Sequence, residues 1–211
     1  MFKNGCRLLI FACNTASSDA LRKIQREYLP KHHLGKKVLG VLIPAAEAGV
    51  SKTKNGRIGV IATEGTVRSG AFVREIKKLD PTIRVLQRAC PLLVPIVESG
   101  EENSRAAKLI IEEYLKSLKK NVDTLILGCT HYGILRREIK RVVGVKVRVV
   151  SESDVVPGKL KEYLERHPEI EKRLGKRGTV RFYSTDLTDG FIRLGSKFFG
   201  KKIKVRRVIM R

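Results

Sequence analysis

Two short stretches of the chain combine an apolar run, a cysteine and a threonine in the same order. The first, LLIFACNTASS, covers residues 8–18 and contains Cys13, and the second, TLILGCTHYG, covers residues 124–133 and contains Cys129. A positioned thiol can give a proton to a reacting group, and a thiolate can take one away. The repetition therefore indicates two thiols, each held at the end of a strand.

The first tip consists of Cys13, Asn14 and Thr15, between a predicted strand, Leu8–Ala12, and a helix that begins near residues 17–19. Free N–H groups and the dipole at the start of a helix favour an anion, and they lower the pKa of a nearby thiol. Asn14 and Thr15 can donate hydrogen bonds to a carboxylate. This tip therefore has the groups needed to bind a carboxylic acid beside a thiol.

The second tip consists of Cys129, Thr130 and His131, and it offers similar chemistry. His131 can act as a general acid–base partner or can orient a substrate amine or carboxylate. Alternatively, two buried strands simply end in cysteine, and the polar residues are ordinary helix caps. If the two tips face each other, one thiol lies on each side of a small ligand. That arrangement suits a proton taken from one face of a carbon and returned to the other face.

The elements around the two tips alternate between strand and helix along the whole chain. This alternation is typical of an α/β fold with a mainly parallel sheet, in which the strand-to-helix loops line one rim. No glycine-rich dinucleotide or nucleotide-triphosphate motif follows any strand. The predicted strands are residues 8–12, 38–43, 57–63, 84–90, 123–127, 145–150 and 179–185, and residues 202–210 close the chain. The predicted helices are residues 20–28, 45–51, 100–120, 134–143, 156–167 and 186–200, and residues 64–79 are predicted to be a turn that leads into a helix.

Composition restricts the class of protein and its location. Of the 211 residues, 42% are hydrophobic, which is enough for a substantial core. The longest apolar runs have the length of a strand and no signal peptide is recognisable, so we expect a cytoplasmic protein without a membrane contact. None of the four cysteines forms a CxxC pair, and no metal site is predicted.

The charge is strongly positive, with 44 lysines and arginines against 21 acidic residues and a net charge of +23. Such a balance is compatible with nucleic-acid binding. The basic residues are dispersed, however, and only 6% of the residues are aromatic, so stacking surfaces for bases are scarce. We therefore predict no specific nucleic-acid partner. Non-specific binding of polyanions by an inactive protein is kept as an alternative function.

Three motifs, ACNTAS, ACPLLVPIVESG and LGCTHYG, resemble those of the glutamate racemases in the aspartate/glutamate racemase superfamily, in the order that family has. The resemblance implies two Rossmann-like, three-layer α/β/α domains with mainly parallel sheets, related by pseudo-two-fold symmetry. The first domain is predicted to comprise residues 1–42 plus 151–211, and the second residues 43–150. The family uses no cofactor, often forms homodimers, and supplies D-glutamate for peptidoglycan.

The resemblance also implies roles for individual residues. Cys13 and Cys129 would be the two bases of a two-base racemisation of glutamate. Asn14, Thr15, Thr130 and His131 would bind the amino acid, with His131 also acting in catalysis.

Three further residues have two interpretations each. Glu98 matches an acidic position of the family that assists the acid–base pair, or it is a solvated loop carboxylate. Thr63 and Thr66 line the substrate pocket, or they cap the helix that follows. Cys90 is predicted to be a packed thiol, without a role in the reaction.

The chain departs from the family at its start. Glutamate racemases begin with a strand and an Asp-Ser-Gly loop, followed by a Pro-Tyr-Gly loop and a helix, and none of these precedes the first tip here. Gly133 also stands where the family usually has proline. We therefore expect an incomplete first domain with an exposed sheet edge, and weak activity of these residues alone. Racemisation of aspartate or a related acid remains an alternative.

Overall fold

The structure is a computed structural model that describes residues 1–2 and 5–209. Every pair of strands it contains is parallel, so the predicted α/β fold class is confirmed. The chain separates into two compact units, Met1–Arg173 and Leu174–Arg211. The predicted division at residues 42 and 150 stays a prediction.

The larger unit contains two parallel sheets. The larger sheet has the strand order β4-β3-β5-β6, and the smaller one consists of β1 and β2. These strands are β1 (Leu8–Phe11), β2 (Lys37–Gly40), β3 (Arg57–Ala62), β4 (Arg84–Ala89), β5 (Thr124–Gly128) and β6 (Arg148–Ser151). All six fall within predicted strands or overlap them, because short apolar runs bounded by polar residues are typical of buried parallel strands.

Strand β5 lies inside the larger sheet and all 5 of its residues are buried. Leu125 and Leu127 belong to one apolar cluster, while Ile126 between them belongs to another. Successive side chains of a strand point to opposite faces, so these clusters are the two layers of helix packing on the sheet. The core of the larger unit is therefore centred on β5, the strand that leads into the second tip.

Helices connect the strands in the order expected for βαβ crossovers. The helices of the larger unit are α1 (Asn14–Ala16), α2 (Leu29–His32), α3 (Leu42–Lys52), α4 (Glu64–Ser69), α5 (Ala71–Leu79), α6 (Leu93–Ser99), α7 (Arg105–Leu115), α8 (Arg136–Val143), α9 (Glu152–Arg166) and α10 (Pro168–Glu171). Among the described residues, no helix is long and apolar enough to cross a membrane.

Two of the predicted helices differ from those observed. The predicted turn and helix of residues 64–79 are two helices separated at Gly70, whose φ of +64° is a left-handed conformation that favours glycine. The predicted helix 20–28 begins earlier, at Asn14, and its middle consists of wider π-helical turns at Ser17–Leu21 and Ile24–Tyr28. Pro30 does not end it, because it lies in the first turn of α2, where its missing N–H costs little.

The smaller sheet carries the first tip. β1 and β2 pair from Leu8↔Lys37 to Phe11↔Gly40, and Leu21 packs over them from the π-helical turns. Gly40 is needed here, because a Cβ atom at this position would lie 2.6 Å from the Leu21 Cδ2 atom. Ile10 in β1 is exposed, and among the described residues β1 pairs only with β2, in agreement with the expected exposed edge.

The smaller unit contains β7 (Phe182–Ser184), α11 (Asp189–Phe199) and β8 (Val205–Arg207), and β7 pairs with β8. The Thr188 hydroxyl caps α11 by accepting a hydrogen bond from the Phe191 N–H. The sequence pattern assigned no element to residues 202–210, in which β8 lies, and Met210 lies outside the described residues.

Gly128, the last residue of β5, generates a prediction about stability. A Cβ atom there would lie 2.8 Å from the Phe72 ring and 3.1 Å from the Ile61 carbonyl oxygen. We expect Gly128→Ala to lower the free energy of unfolding by about 1–3 kcal/mol, as overpacking does. The matched control is Gly158→Ala in α9, where no atom lies within 4 Å of the added carbon.

The control should raise the free energy of unfolding by about 0.5–1 kcal/mol through helix propensity. Urea unfolding followed by circular dichroism measures both variants. A Gly128→Ala protein as stable as the parent would contradict the close packing described for the end of β5.

Candidate active site

The two tips and the loops beside them meet at the carboxyl edge of the sheets. Cys13 follows β1, Thr63 follows β3, Cys129 follows β5 and Glu152 follows β6. The carboxyl ends of parallel strands share one edge, so four strand-to-helix connections contribute side chains to one region.

In the first tip, Cys13 has an extended backbone, with φ −109° and ψ 126°, and its side chain is exposed. Its carbonyl accepts a hydrogen bond from the Ser17 N–H at 2.9 Å, which starts the helical turn. Asn14 is the first residue of that turn and is only 2% exposed. The thiol therefore faces outward, while the neighbouring amide points into the protein.

In the second tip, Cys129 also has an extended backbone, with φ −148° and ψ 135°, and a 3₁₀ turn, Thr130–Gly133, follows it. The Tyr132 hydroxyl donates a hydrogen bond to the Cys90 carbonyl at 2.9 Å and holds this turn against the core. Cys90 itself is fully buried, as predicted for a packed thiol.

Burial sets the protonation of the Cys129 thiol. It raises the pKa of Cys129 to about 11, although the backbone N–H groups of His131 and Tyr132 donate hydrogen bonds that lower it. The negative charges of Glu152 and of the Cys13 thiolate raise this pKa further. The two tips are also linked by contacts, because Asn14 next to Cys13 donates a hydrogen bond to Glu152 at the end of β6, the strand that pairs with β5. At neutral pH, Cys129 is a thiol.

A chain of polar contacts leads away from Cys129. Its Sγ atom lies 3.8 Å from His131 Nδ1, and His131 Nε2 lies 3.1 Å from Glu98 Oε1. Glu98 is in the last turn of α6, so its interpretation as a loop residue is wrong, although its side chain is 53% exposed. The contacts therefore run from the Cys129 thiol through both ring nitrogens of His131 to the Glu98 carboxylate.

Three hydroxyl groups join the first tip to the loop after β3. Thr15 Oγ1 lies 2.9 Å from Thr63 Oγ1 and 3.1 Å from Thr66 Oγ1, and the latter two atoms are 3.0 Å apart. Thr63 also caps α4, because its hydroxyl accepts a hydrogen bond from the Thr66 N–H. The interpretation of Thr63 as a helix cap is therefore confirmed, and it also contacts the first tip, whereas its place in a substrate pocket stays a prediction. Thr130 is exposed at the start of the 3₁₀ turn.

Sequence reasoning missed Glu152, the first residue of α9. It is only 6% exposed, and its Oε1 atom accepts a hydrogen bond of 2.5 Å from Asn14 Nδ2. Burial raises the pKa of Glu152 to about 7, and the Asn14 hydrogen bond partly opposes this. The sequence signal that could have identified Glu152 is an acidic residue directly after a buried strand, at the same edge as the two cysteines. Within residues 1–2 and 5–209, no group of three or more histidine, cysteine or acidic side chains is arranged to hold a metal ion.

Comparisons with known proteins agree with this geometry. A family described as Asp/Glu/Hydantoin racemase matches residues 2–154. A glutamate racemase of Geobacter metallireducens is 39% identical over 198 residues, covering 93% of this chain and 71% of the relative. One from Aquifex aeolicus is 37% identical over 201 residues, covering 95% of this chain and 72% of the relative.

Solved structures give the same result. The Bacillus anthracis glutamate racemase isoform RacE1 is similar with a TM-score of 0.85 and 31% identity, over 97% of this chain and 74% of that one. The Francisella tularensis glutamate racemase in complex with D-glutamate is similar with a TM-score of 0.85 and 28% identity, over 99% of this chain and 75% of that one.

The environments of the cysteines predict their order of reaction with iodoacetamide. With a pKa of about 11, only about one thousandth of Cys129 is thiolate at pH 8, and its rate should rise about tenfold per pH unit. Cys13 is exposed and should react first, whereas Cys90, whose pKa burial raises to about 12, should react only after unfolding. Peptide mass spectrometry against time measures each rate. Labelling of Cys129 as fast as Cys13 at pH 8 would contradict its burial.

Proposed function

The chain belongs to the Asp/Glu/Hydantoin racemase family, and we propose that it interconverts L- and D-glutamate with Cys13 and Cys129 as the two proton carriers. The observation that carries this proposal is that two strand-tip cysteines, distant in sequence, follow parallel strands at one edge of the fold. Asn14, next to Cys13, donates a hydrogen bond to Glu152 at the end of β6, and β6 pairs with β5, the strand that leads into Cys129. The glutamate racemases of Geobacter metallireducens and Aquifex aeolicus support glutamate as the substrate.

The reaction needs a base on one face of the α-carbon and an acid on the other. A Cys13 thiolate removes the α-proton and becomes a thiol, while the Cys129 thiol gives its proton to the opposite face and becomes a thiolate. The C–H bond that breaks is replaced by a C–H bond of opposite configuration, and no atom is gained or lost. For the reverse direction the two roles are exchanged. The burial of Cys129 favours the thiol form that this first step requires.

The neighbours of Cys129 support its change of charge. When Cys129 gives up its proton, a negative charge forms 3.8 Å from His131 Nδ1 and beside the N–H groups of residues 131 and 132. Glu98 contacts the other nitrogen of His131 and fixes the orientation of the ring beside that thiolate. Such preorganised groups stabilise the charge that develops in the transition state.

The remaining polar residues are placed to hold the amino acid. Asn14 and Thr15 are next to Cys13, and Thr130 is next to Cys129, so each thiol has neighbouring donors for a substrate carboxylate. The hydroxyls of Thr63 and Thr66 contact that of Thr15 and orient it. We infer that these residues bind glutamate between the two tips.

The wider role follows from the resemblance alone. We propose that the D-glutamate produced is used for peptidoglycan synthesis in the cytoplasm. The homodimer and the absence of a specific nucleic-acid partner stay predictions. Non-specific polyanion binding stays an alternative to catalysis.

Substitution of either cysteine tests the two-thiol proposal. We expect Cys13→Ala and Cys129→Ala each to reduce racemisation by at least about 10²–10⁴-fold, because each removes a positioned proton carrier. Circular dichroism measures racemisation of each glutamate enantiomer, and proton NMR in D₂O measures loss of the α-proton. Cys6→Ala is the control, since this thiol lies before β1 and away from the tips.

Near-parental activity in either tip variant would refute the two-thiol mechanism. The same assay with aspartate examines substrate choice. Faster α-proton exchange at aspartate than at glutamate would overturn the assignment of glutamate and leave the family membership unchanged.

A further inference from the structure

Glu152 lies where the two tips approach the end of β6, and it interacts with both of them. Its carboxyl oxygen accepts the hydrogen bond from Asn14 of the first tip, a residue 138 positions earlier in the chain. Its charge also acts on the thiol of Cys129 in the second tip. No other carboxyl group of the described residues has both of these recorded interactions, so Glu152 is a link between the two tips.

The packing around position 152 does not explain why the residue there is acidic. Within residues 1–2 and 5–209, no lysine, arginine or histidine is recorded in an ion pair with it. Two buried oxygens of this contact, Asn14 Oδ1 and Glu152 Oε2, have no hydrogen-bond partner. A buried carboxyl without a cation is costly, and an apolar residue would fill the same space at a lower cost. A role in stability alone is therefore disfavoured.

The chemistry of the two groups shows what the contact achieves. An ionised carboxylate only accepts hydrogen bonds, whereas a side-chain amide has one accepting end and one donating end. Facing Glu152, the Asn14 amide must therefore present its Nδ2 group and direct Oδ1 away. Hydrogen bonds to a charged acceptor are stronger than neutral ones, so this orientation is strongly preferred.

The second effect of Glu152 is electrostatic. A negative charge near Cys129 opposes the formation of its thiolate and adds to the larger effect of burial. The other ionisable side chains on α9 itself are Asp154, Lys159, Lys161, Glu162, Tyr163, Glu165 and Arg166. Those on the elements packed against α9, and at the Cys129 tip, are Glu47, Lys52, Cys129, His131, Tyr132, Arg148, Glu169 and Glu171. Glu47 pairs with Lys159, Asp154 with Arg136, and His131 with Glu98.

We propose that Glu152 is a positioning residue for the racemase reaction, which holds the Asn14 amide in one orientation beside Cys13. The inference rests on the proposed function, because the consequence of this orientation is seen in glutamate binding. Glu152 itself need not touch the substrate.

The first test needs no variant and no substrate. In the parent protein, the side-chain NH₂ signals of Asn14 in a ¹H–¹⁵N spectrum should shift with a midpoint near pH 7, as Glu152 gains or loses its proton. These signals are assigned by their absence in Asn14→Ala. The proposal would be overturned if the Asn14 signals stayed constant between pH 5.5 and 8.5, a range that extends on the order of 1.5 pH units to either side of that midpoint.

The second test compares Glu152→Gln with Glu162→Gln, an exposed position on the same helix that serves as the control. Glutamine keeps the size of the side chain but removes its charge and gives it a donating end. In Glu152→Gln, the Asn14 signals should lose their pH dependence, and Cys129 should react with iodoacetamide at pH 9 about threefold to tenfold faster than in the parent. The control should match the parent in both measurements. An unchanged Cys129 rate would refute the electrostatic effect.

The third test uses D-glutamate as the probe. Its affinity, measured by calorimetry, should fall about tenfold in Glu152→Gln, because the amide orientation is no longer unique. In an Asn14→Ala background the same substitution should cause no further loss, since Glu152 acts through Asn14. An equal loss in both backgrounds would contradict action through Asn14.

The outcomes separate this proposal from the proposed function. If the parent protein neither binds glutamate nor exchanges its α-proton, the racemase assignment fails. The Asn14 signals and the Cys129 rate still decide the role of Glu152 in that case, since neither depends on a substrate.

Discussion

The parallel pairing of β3 with β5 is the constraint on which the site depends. Their register runs from Ile58↔Thr124 to Ala62↔Gly128, so both strands end at the same level. Parallel strands must be joined by crossovers, and the loops leaving their carboxyl ends therefore gather at one edge. Gly128 allows this close arrangement, because it presents no side chain to Phe72 or to the neighbouring strand. The second tip begins directly after it.

The burial that stabilises this edge also determines its chemistry. Removal from water raises the pKa of Cys129 and of Glu152, since each charged form loses its hydration. Glu152 consequently holds a proton at a higher pH than an exposed carboxyl group would, and Cys129 stays a thiol to a higher pH than an exposed cysteine would. The exposed Cys13 experiences no comparable burial. The two thiols thus differ in environment although their local sequences are alike.

Polar contacts around the tips differ in how strongly they are held. The contact between Asn14 and Glu152 is buried, so water weakens it little. The contact between His131 and Glu98 is partly exposed, and salt and water screen it. The contacts among the hydroxyls of Thr15, Thr63 and Thr66 are partly buried, so water weakens them to an intermediate degree. The first tip is therefore the more rigidly supported of the two by its side-chain contacts, and the second is supported chiefly by its backbone and by Tyr132.

The sequence alone determined the α/β class, the positions of the strands and the two cysteine tips. These features are local, because a strand appears as a short apolar run and a helix as an apolar repeat. The break at Gly70 and the placement of Glu98 on α6 were not predicted, since short helices carry too few turns to show a repeat.

Only the tertiary structure revealed Glu152, whose partner is 138 residues distant. It also decided the difference between the two thiols. Exposure of a side chain depends on which elements pack over it, and a strand-tip pattern contains no information about those elements. The sequence therefore specifies which groups can perform the chemistry, while packing decides which of them are removed from water and which stay exposed.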